Sequence, residues 1–385
     1  FLYLRIHHLV SDAYSFRLIF QQINERYSAL VQNKPYTKHF GNYVQMVEQE
    51  LQYKTSEQAN KDAAYWISKL QETEVISLSR KKSSKMGQVL LHQAPLSSAT
   101  WMNLQQFSKQ LHVNMQEVIS AAVIAYTKRM TQAKDVIVGI PMMNRFGHKA
   151  MSVPCTRVNI LPLRASFNTE QTFEELCQMV KGLMDEMKPH QYYRQEQMRR
   201  DLQLTTDDQL YGPEINFMPF YENYMFGKVK VENRKVVTGP VEDISFNFYS
   251  TPHGMQLDLV ANADLYDKEE LEHHSARFLQ FLDLLLETVD APMFQLPVLL
   301  NEEFVMFQDK QGPVSELNNI TVYELFKKQM QNMPGATAIK INDTHITYAE
   351  LDLLVGRIAH QLKAHDIGLE DFVGICMERS IEMVA

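Results

Sequence analysis

Apolar residues recur at two periods along the chain, and the switches between them mark out helices and strands. An opening apolar run, Phe1 to Ile6, predicts a buried strand. Phe16, Phe20, Ile23, Tyr27 and Leu30 then share one face of a helix predicted over Ala13–Val31. Ala59, Ala63, Trp66 and Leu70 align over a second helix, Ser56–Leu70. The polar, basic stretch from Ser79 to Lys85 predicts a linker between lobes rather than a binding patch. A new αβ unit follows, with helices over 97–110 and 114–130; the second carries a broad stripe of Met115, Val118, Ile119, Ala122, Val123 and Tyr126. Val136–Ile140 and Val158–Leu161 predict strands. Thr172 and Glu175 form a capping box that opens a helix to about Met187, with Phe173, Leu176, Val180 and Leu183 facing inward. Strands near Glu214–Met218, Ile244–Tyr249 and Met255–Ala261 and a helix over Lys268–Thr288 complete this part.

From about Leu296 to Asn319 the pattern turns irregular, with Pro297, Gly312 and Pro313, and predicts a connector. Beyond it Thr321 and Glu324 open a helix, and Ile339–Thr347 reads as a hairpin turning at Asn342-Asp343. A second capping box, Thr347 with Glu350, precedes Leu351, Leu354, Ile358 and Leu362 at helical spacing. Phe372–Cys376 predicts a strand. The chain is expected to start inside one domain and to stop inside another.

Composition narrows the class. The 385 residues have room for two or three domains, at about 100–200 residues each. With 45% hydrophobic and 22% charged residues, the chain can build a sizeable core. A net charge of −8 leaves no electrostatic footprint for nucleic acid. No apolar run reaches membrane-spanning length, and no secretion signal opens the chain. Cys155, Cys177 and Cys376 are far apart and odd in number, and fit neither a metal site nor a disulfide framework. A cytoplasmic location is the expectation.

The strongest chemical feature is His7-His8-Leu9-Val10-Ser11-Asp12. Neutral imidazole can accept a proton from an attacking amine or hydroxyl. A strand points only one of two adjacent side chains into a given cavity, so one histidine is expected to face substrate and the other to pack or orient the loop. Asp12 either caps the helix beginning at Ala13 or pairs with an arginine to lock the loop. No third ligand is spaced to build a metal site. No Gly-x-Ser-x-Gly elbow is present, so direct transfer without a covalent intermediate is the simpler scheme.

His7-His8-x-x-x-Asp12 resembles the active-site motif of condensation domains in nonribosomal peptide synthetases, shared with chloramphenicol acetyltransferase-like acyltransferases. Further blocks resemble the same family in the same order: Gly139 to Arg145, Val158-Asn159-Ile160-Leu161-Pro162-Leu163-Arg164, His190-Gln191-Tyr192-Tyr193-Arg194, and Arg199 to Leu202. Gly212–Phe220 and Gly239–Ser245 look like the form found in bacillibactin- and enterobactin-type siderophore synthetases. This resemblance covers roughly residues 1–300. Residues from about 318, with Thr321 to Phe326 and Ile346 to Leu351, resemble the start of an adenylation domain.

The resemblance implies an α/β fold of two chloramphenicol acetyltransferase-like lobes forming a V around a central tunnel. The lobes are expected at 1–82, truncated at its start, and at 83–296. A linker at 297–318 leads to an adenylation fragment at 319–385. The implied reaction joins a donor acyl thioester to an acceptor aminoacyl amine, both tethered to phosphopantetheine on partner carrier domains, with the chain's own downstream adenylation domain as a further partner. ATP and magnesium are implied for the full-length adenylation domain only, and a hydroxybenzoyl donor is the expected substrate class. His8 is expected to orient the amine or take its proton, His7 to be structural, and Asp12 to hold the loop, with its arginine partner upstream of Phe1. Ala13 stands where the family motif has glycine, which leaves open a narrowed channel or merely a helix start. Asn159, Ser245 and Arg145 are candidate tunnel residues, although ion pairing is the favoured role for Arg145 and Arg164. His190 is expected to cap or pack, and His112, His148, His253, His273, His274, His345 and His365 to be fillers. The alternatives are a coenzyme A-dependent acyltransferase using the same histidine, and a non-catalytic scaffold that docks carriers.

Overall fold

The computed structural model describes all residues except 1–2, 82–86, 146–149, 169, 219–224, 227–228, 232–238, 252–253, 311–319 and 369–370. The start of the opening run, most of the basic stretch after Lys81, His148, His253, Pro219, Phe220 and much of the connector therefore lie outside the described residues. The chain divides into two compact units, 1–307 and 308–385.

The first unit begins with three helices: α1 Ala13–Val31, α2 Tyr43–Lys54 and α3 Glu57–Leu70. Each starts at a short polar side chain that accepts a backbone N–H of the first turn, Asp12, Asn42 and Ser56 respectively. Next come β1 Val89–Pro95, α4 Ser98–Gln110, α5 Met115–Thr131, β2 Asp135–Met142, β3 Asn159–Ser166 and α6 Phe173–Met187. After α7 Gln195–Asp201 come β4 Glu214–Met218, the short ribbon of β5 Met225–Phe226 and β6 Val229–Lys230, then β7 Ile244–Thr251, β8 Gly254–Asn262 and α8 Lys268–Glu287. Six strands form one mixed sheet in the order β1-β8-β7-β4-β2-β3, parallel only where β4 meets β7 and β2.

The two faces of that sheet differ. Val136, Val138, Ile140, Leu161, Leu163, Ile215, Phe246, Phe248, Leu257 and Leu259 point to one side and are buried with α5 in the main core. Helix α5 is buried nearly all round from Val118 to Tyr126, which is why its pattern reads as a broad stripe. The opposite face carries Arg164, Glu214, Ser245, Asn247 and Asp258 by strand alternation. Two glycines let other chain segments approach this region. A Cβ on Gly139 would lie 2.6 Å from the Tyr211 ring, and one on Gly212 would lie 2.1 Å from the Ile76 carbonyl oxygen.

Two predicted strands do not form. Residues 3–6 have no ladder partner among the described residues, and Tyr3 is 70% exposed. Phe372–Cys376 likewise has no ladder partner among the described residues, and Phe372 is fully exposed. An apolar run becomes a strand only where a neighbour takes its N–H and C=O groups. The connector is also not irregular throughout: α9 spans Asn301–Asp309, where Glu303 accepts the Leu300 N–H at 2.9 Å and pairs with Arg277 of α8.

The second unit holds α10 Val322–Asn332, the hairpin β9 Thr337–Ile341 and β10 Thr344–Thr347, α11 Tyr348–Ala364 and the short α12 Ile381–Val384. Both capping boxes form. Asn342 turns the hairpin at φ 53°, a left-handed conformation that asparagine tolerates.

Replacing Gly212 with alanine drives a methyl group into backbone rather than into a side chain that can swing away. Gly212→Ala is expected to destabilise the first unit by about 1–3 kcal/mol, read as a lower urea midpoint; Gly182→Ala, a helical site with open space, should be neutral or stabilising.

Candidate functional site

The loop from His7 to Asp12 is built around a buried carboxylate. Asp12 is 3% exposed and ends the loop as the N-cap of α1. Its Oδ1 accepts the Ser15 N–H at 2.8 Å and the Ser15 hydroxyl at 2.7 Å. Its Oδ2 accepts the backbone N–H groups of Arg157 at 2.9 Å and Val158 at 3.2 Å, just ahead of β3. One guanidinium nitrogen of Arg145 donates to both oxygens, at 3.0 and 3.1 Å. Asp12 thus both caps the helix and pairs with an arginine. That arginine belongs to this chain, 133 residues on, and not to sequence upstream of Phe1 as expected.

Arg145 is consumed by this role. Its two terminal nitrogens donate to the carbonyls of Ala150, Val153 and Cys155 and to the Ser15 hydroxyl, and the guanidinium lies over the Tyr14 ring at 4.9 Å. Its side chain has no exposed surface. Arg145 is therefore a buried tie, in the ion-pairing role favoured from the sequence and not the tunnel-lining alternative. Burial pushes the Asp12 carboxyl up, but the Arg157 N–H, the Ser15 hydroxyl and N–H, and the Arg145 charge outweigh it, and the carboxyl sits below its ordinary range.

The two histidines stand on the outer side of this anchor, and both are exposed. His7 Nδ1 accepts the Leu9 N–H at 3.1 Å, and the His7 carbonyl accepts the Val10 N–H at 3.1 Å, so His7 folds the loop back on itself. Of the two roles expected for the histidine that does not face substrate, packing or orienting the loop, His7 takes the loop-orienting one. The His8 carbonyl accepts the Thr156 hydroxyl, while its imidazole has no protein partner among the described residues. The backbone of His8 is thus held from the β3 side and its ring is left free.

Ala13 is the first residue of α1 and is exposed. That position asks for helical backbone, which alanine favours. Asn159 is 2% exposed. Its amide donates to the Gln191 and Tyr193 carbonyls at 2.9 and 2.8 Å, and its carbonyl accepts the Gln195 N–H at 3.2 Å, so it ties β3 to the chain before α7. Ser245 is buried in β7 beside Glu214 of β4. Arg164 pairs with Asp135. His190 stacks on Tyr65 and bonds the buried Asp62 at 2.7 Å, while buried His274 bonds the Tyr126 hydroxyl at 2.8 Å. Burial holds His274 neutral, its pKa lowered to about 4. Sequence reasoning missed Ser15, Thr156, Arg157 and Tyr14 as loop-holding residues. Only Ser15 left a signal, three residues past a capping aspartate; the others meet the loop through long-range folding.

Breaking a buried pair leaves an uncompensated charge. Arg145→Ala should lower the unfolding free energy by about 3–5 kcal/mol, and Arg145→Lys should restore only part of it because an ammonium cannot reach the same set of oxygens. The Asp12 carboxyl is depressed in the folded state, so its contribution is present above its unfolded value, near 3.8, and is lost as pH falls through the folded value. The stability gap between the native chain and Asp12→Asn should therefore close in acid; urea unfolding at pH 7 and at about pH 3 measures it.

Comparison with known proteins agrees with this geometry. A condensation-domain family model matches residues 1–304, and an AMP-binding enzyme model matches residues 326–385. A dimodular nonribosomal peptide synthase of Bacillus subtilis (strain 168) is 32% identical over 391 residues, covering 100% of this chain and 16% of that protein. Enterobactin synthase component F of Escherichia coli O157:H7 is 25% identical, covering 98% of this chain and 30% of that protein. The chain thus spans less than a third of the length of these relatives. Among solved structures, the first condensation domain of the calcium-dependent antibiotic synthetase, in complex with a substrate analogue, superposes with a TM-score of 0.70 at 27% identity over 77% of this chain and 66% of that one. The starter condensation domain of rhizomide synthetase, a mutant in complex with C8-CoA, gives 0.70 at 30% identity over 76% and 68%. The family model runs from the histidine loop through the six-stranded sheet to the first turn of α9, and on that span the chain belongs to the condensation-domain family, with a segment of the AMP-binding enzyme family following it.

Proposed function

We propose that residues 1–304 catalyse amide formation between a donor acyl thioester and an acceptor aminoacyl amine, each delivered on the phosphopantetheine arm of a carrier domain. The observation that carries this reading is the unpartnered, exposed His8 ring on a loop whose backbone is pinned by Asp12, Arg145 and Thr156. The acceptor nitrogen attacks the donor carbonyl; the C–N bond forms, the C–S bond breaks, and the sulfur leaves as thiol. The amine's proton ends on that thiol, directly or by way of His8. A ring with no protein partner is available both to accept a hydrogen bond from the amine and to take its proton. Holding that ring in place lowers the barrier chiefly by orientation. His7 and Asp12 act on the loop rather than on substrate.

Residues 1–82 and 83–296 are read as the two lobes, with 297–318 as linker and 319–385 as adenylation segment. In support, the six-stranded sheet lies wholly within residues 89–262. ATP and magnesium belong to the adenylation activity of the whole protein. A hydroxybenzoyl donor is favoured by the siderophore-synthetase character of the Gly212 and Gly239 blocks and by enterobactin synthase component F among the relatives. Among the described residues no helix is long and apolar enough to cross a membrane, which agrees with cytoplasmic work alongside carrier domains. A second reading, in which the donor is an acyl-coenzyme A, is favoured by the C8-CoA complex of the rhizomide starter domain. Turnover with free acyl-coenzyme A and no donor carrier would select it.

His8→Ala should cut amide formation by about 10²–10⁴-fold with an unchanged unfolding midpoint, because the ring bonds to none of the described residues. Amide product is measured by mass spectrometry from loaded carriers; wild-type turnover by His8→Ala would sink the assignment. Ala13→Gly should leave turnover unchanged and lower stability by less than about 1 kcal/mol, the result expected of a helix start rather than a channel constriction.

A further inference from the structure

A cavity of about 320 Å³ lies on the polar side of the sheet, where the strand ends of β3, β4 and β7 meet α7. Its lining residues include the acidic Glu196, Glu214, Glu242 and Asp243, with Tyr211, and Arg199 as the one cation among them. Of these acidic residues Arg199 pairs loosely with Glu242 and not with Glu214. It donates to the carbonyls of Thr205 and Asp208, and its nearest approach to Glu242 is 3.9 Å.

Two of the carboxylates are left incomplete. Asp243 is 2% exposed; its Oδ1 accepts from the Tyr266 hydroxyl at 2.6 Å and the Ser77 hydroxyl at 2.8 Å, while its Oδ2 meets no donor among the described residues. Glu214 is half-buried in β4, paired in the ladder with Ser245, and its carboxylate has no hydrogen-bond or ion-pair partner among the described residues. Burial and the Glu242 charge push Glu214 up to about 7, and burial pushes Asp243 up to about 6. A carboxyl held this way is relieved by taking up a proton, or, when ionised, by an occupant that brings N–H donors and positive charge.

We propose that this cavity binds a primary alkylammonium group, with Glu214 as its main counter-ion. A bare divalent metal fits less well, because among the described residues no three His, Cys, Asp or Glu side chains converge as metal ligands. The volume admits an ammonium on an alkyl stem of about four to six atoms, within the small end of ligand cavities. Two sources carry this group: the side chain of a carrier-tethered aminoacyl acceptor, which rests on the condensation reading above, or a free amine.

Calorimetric titration of the full chain with n-butylammonium at pH 8 is the primary test, with n-butanol as the neutral control. Saturable binding of the amine alone is expected, weakened at least tenfold in Glu214→Gln and weakened at pH 6, where Glu214 holds its proton. Carbon NMR of the native chain should also show the Glu214 carboxyl titrating at lower pH with the amine present, an arm that needs no variant. Absence of saturable amine binding, equal binding of n-butanol, or a Glu214→Gln chain that binds as well as the native one overturns the proposal. Condensation assays with lysyl and norleucyl N-acetylcysteamine thioesters separate the sources. A Glu214→Gln KM raised about tenfold for lysyl and unchanged for norleucyl assigns the cavity to the acceptor side chain. Unaltered KM values with amine binding still lost assign it to a free amine. No turnover of either thioester by the native chain, with amine binding intact, defeats the condensation reading and leaves the cation site standing.

Discussion

The buried contact between Asp12 and Arg145 is the constraint on which the site depends. Taking both ions out of water is costly, and an isolated pair seldom recovers that cost. Here the deficit is offset by neighbours: Asp12 accepts from Ser15, Arg157 and Val158 as well, and Arg145 donates to three carbonyls and a hydroxyl. The result is a polar knot that no apolar replacement reproduces, because it joins the start of α1 to the chain leading into β3. Its function is geometric. A histidine that acts on a substrate must have few protein contacts of its own, so its position has to come from the backbone, and the backbone from what flanks it.

The same logic separates the neighbouring residues. His7 spends Nδ1 on the Leu9 N–H and shapes the loop; His8 is held through its carbonyl by Thr156 and keeps its ring. Asn159 completes three bonds to residues 191–195 and has no side-chain donor left for a ligand. Among the described residues the unspent polar groups include Glu214, on the polar face of the sheet, and one oxygen of Asp243. Unspent polar groups are where a folded chain keeps its capacity to bind.

Local chemistry made much of this legible. Helix α1 begins and ends where the periodicity places it, and the capping boxes at Thr172, Thr321 and Thr347 each mark a helix start. Five of the six strands of the main sheet were readable because their core-facing residues are apolar; β1, an edge strand with no fully buried residue, went unread. What failed was non-local. The run before His7 has strand composition but no partner to complete a ladder, and Phe372–Cys376 fails alike. Helix α2 went unread because its apolar face is weak, with Met46 its only buried residue. The Asp12 partner was misplaced because nothing in the long intervening sequence shows which arginine the fold returns to the loop.

A motif glycine is required only where backbone must be left-handed or where a Cβ would collide. At Ala13, the first position of α1, the chain is already helical, the side chain faces solvent, and the residues that fix the loop precede it by one or follow it by two. Neither feature that glycine would supply is called on there. The same criterion works the other way at Gly212, whose missing Cβ makes room for the Ile76 carbonyl. Tolerance along this chain is therefore set by what surrounds each backbone position, and the family motif's glycine and this chain's alanine are alternative ways to begin the same helix.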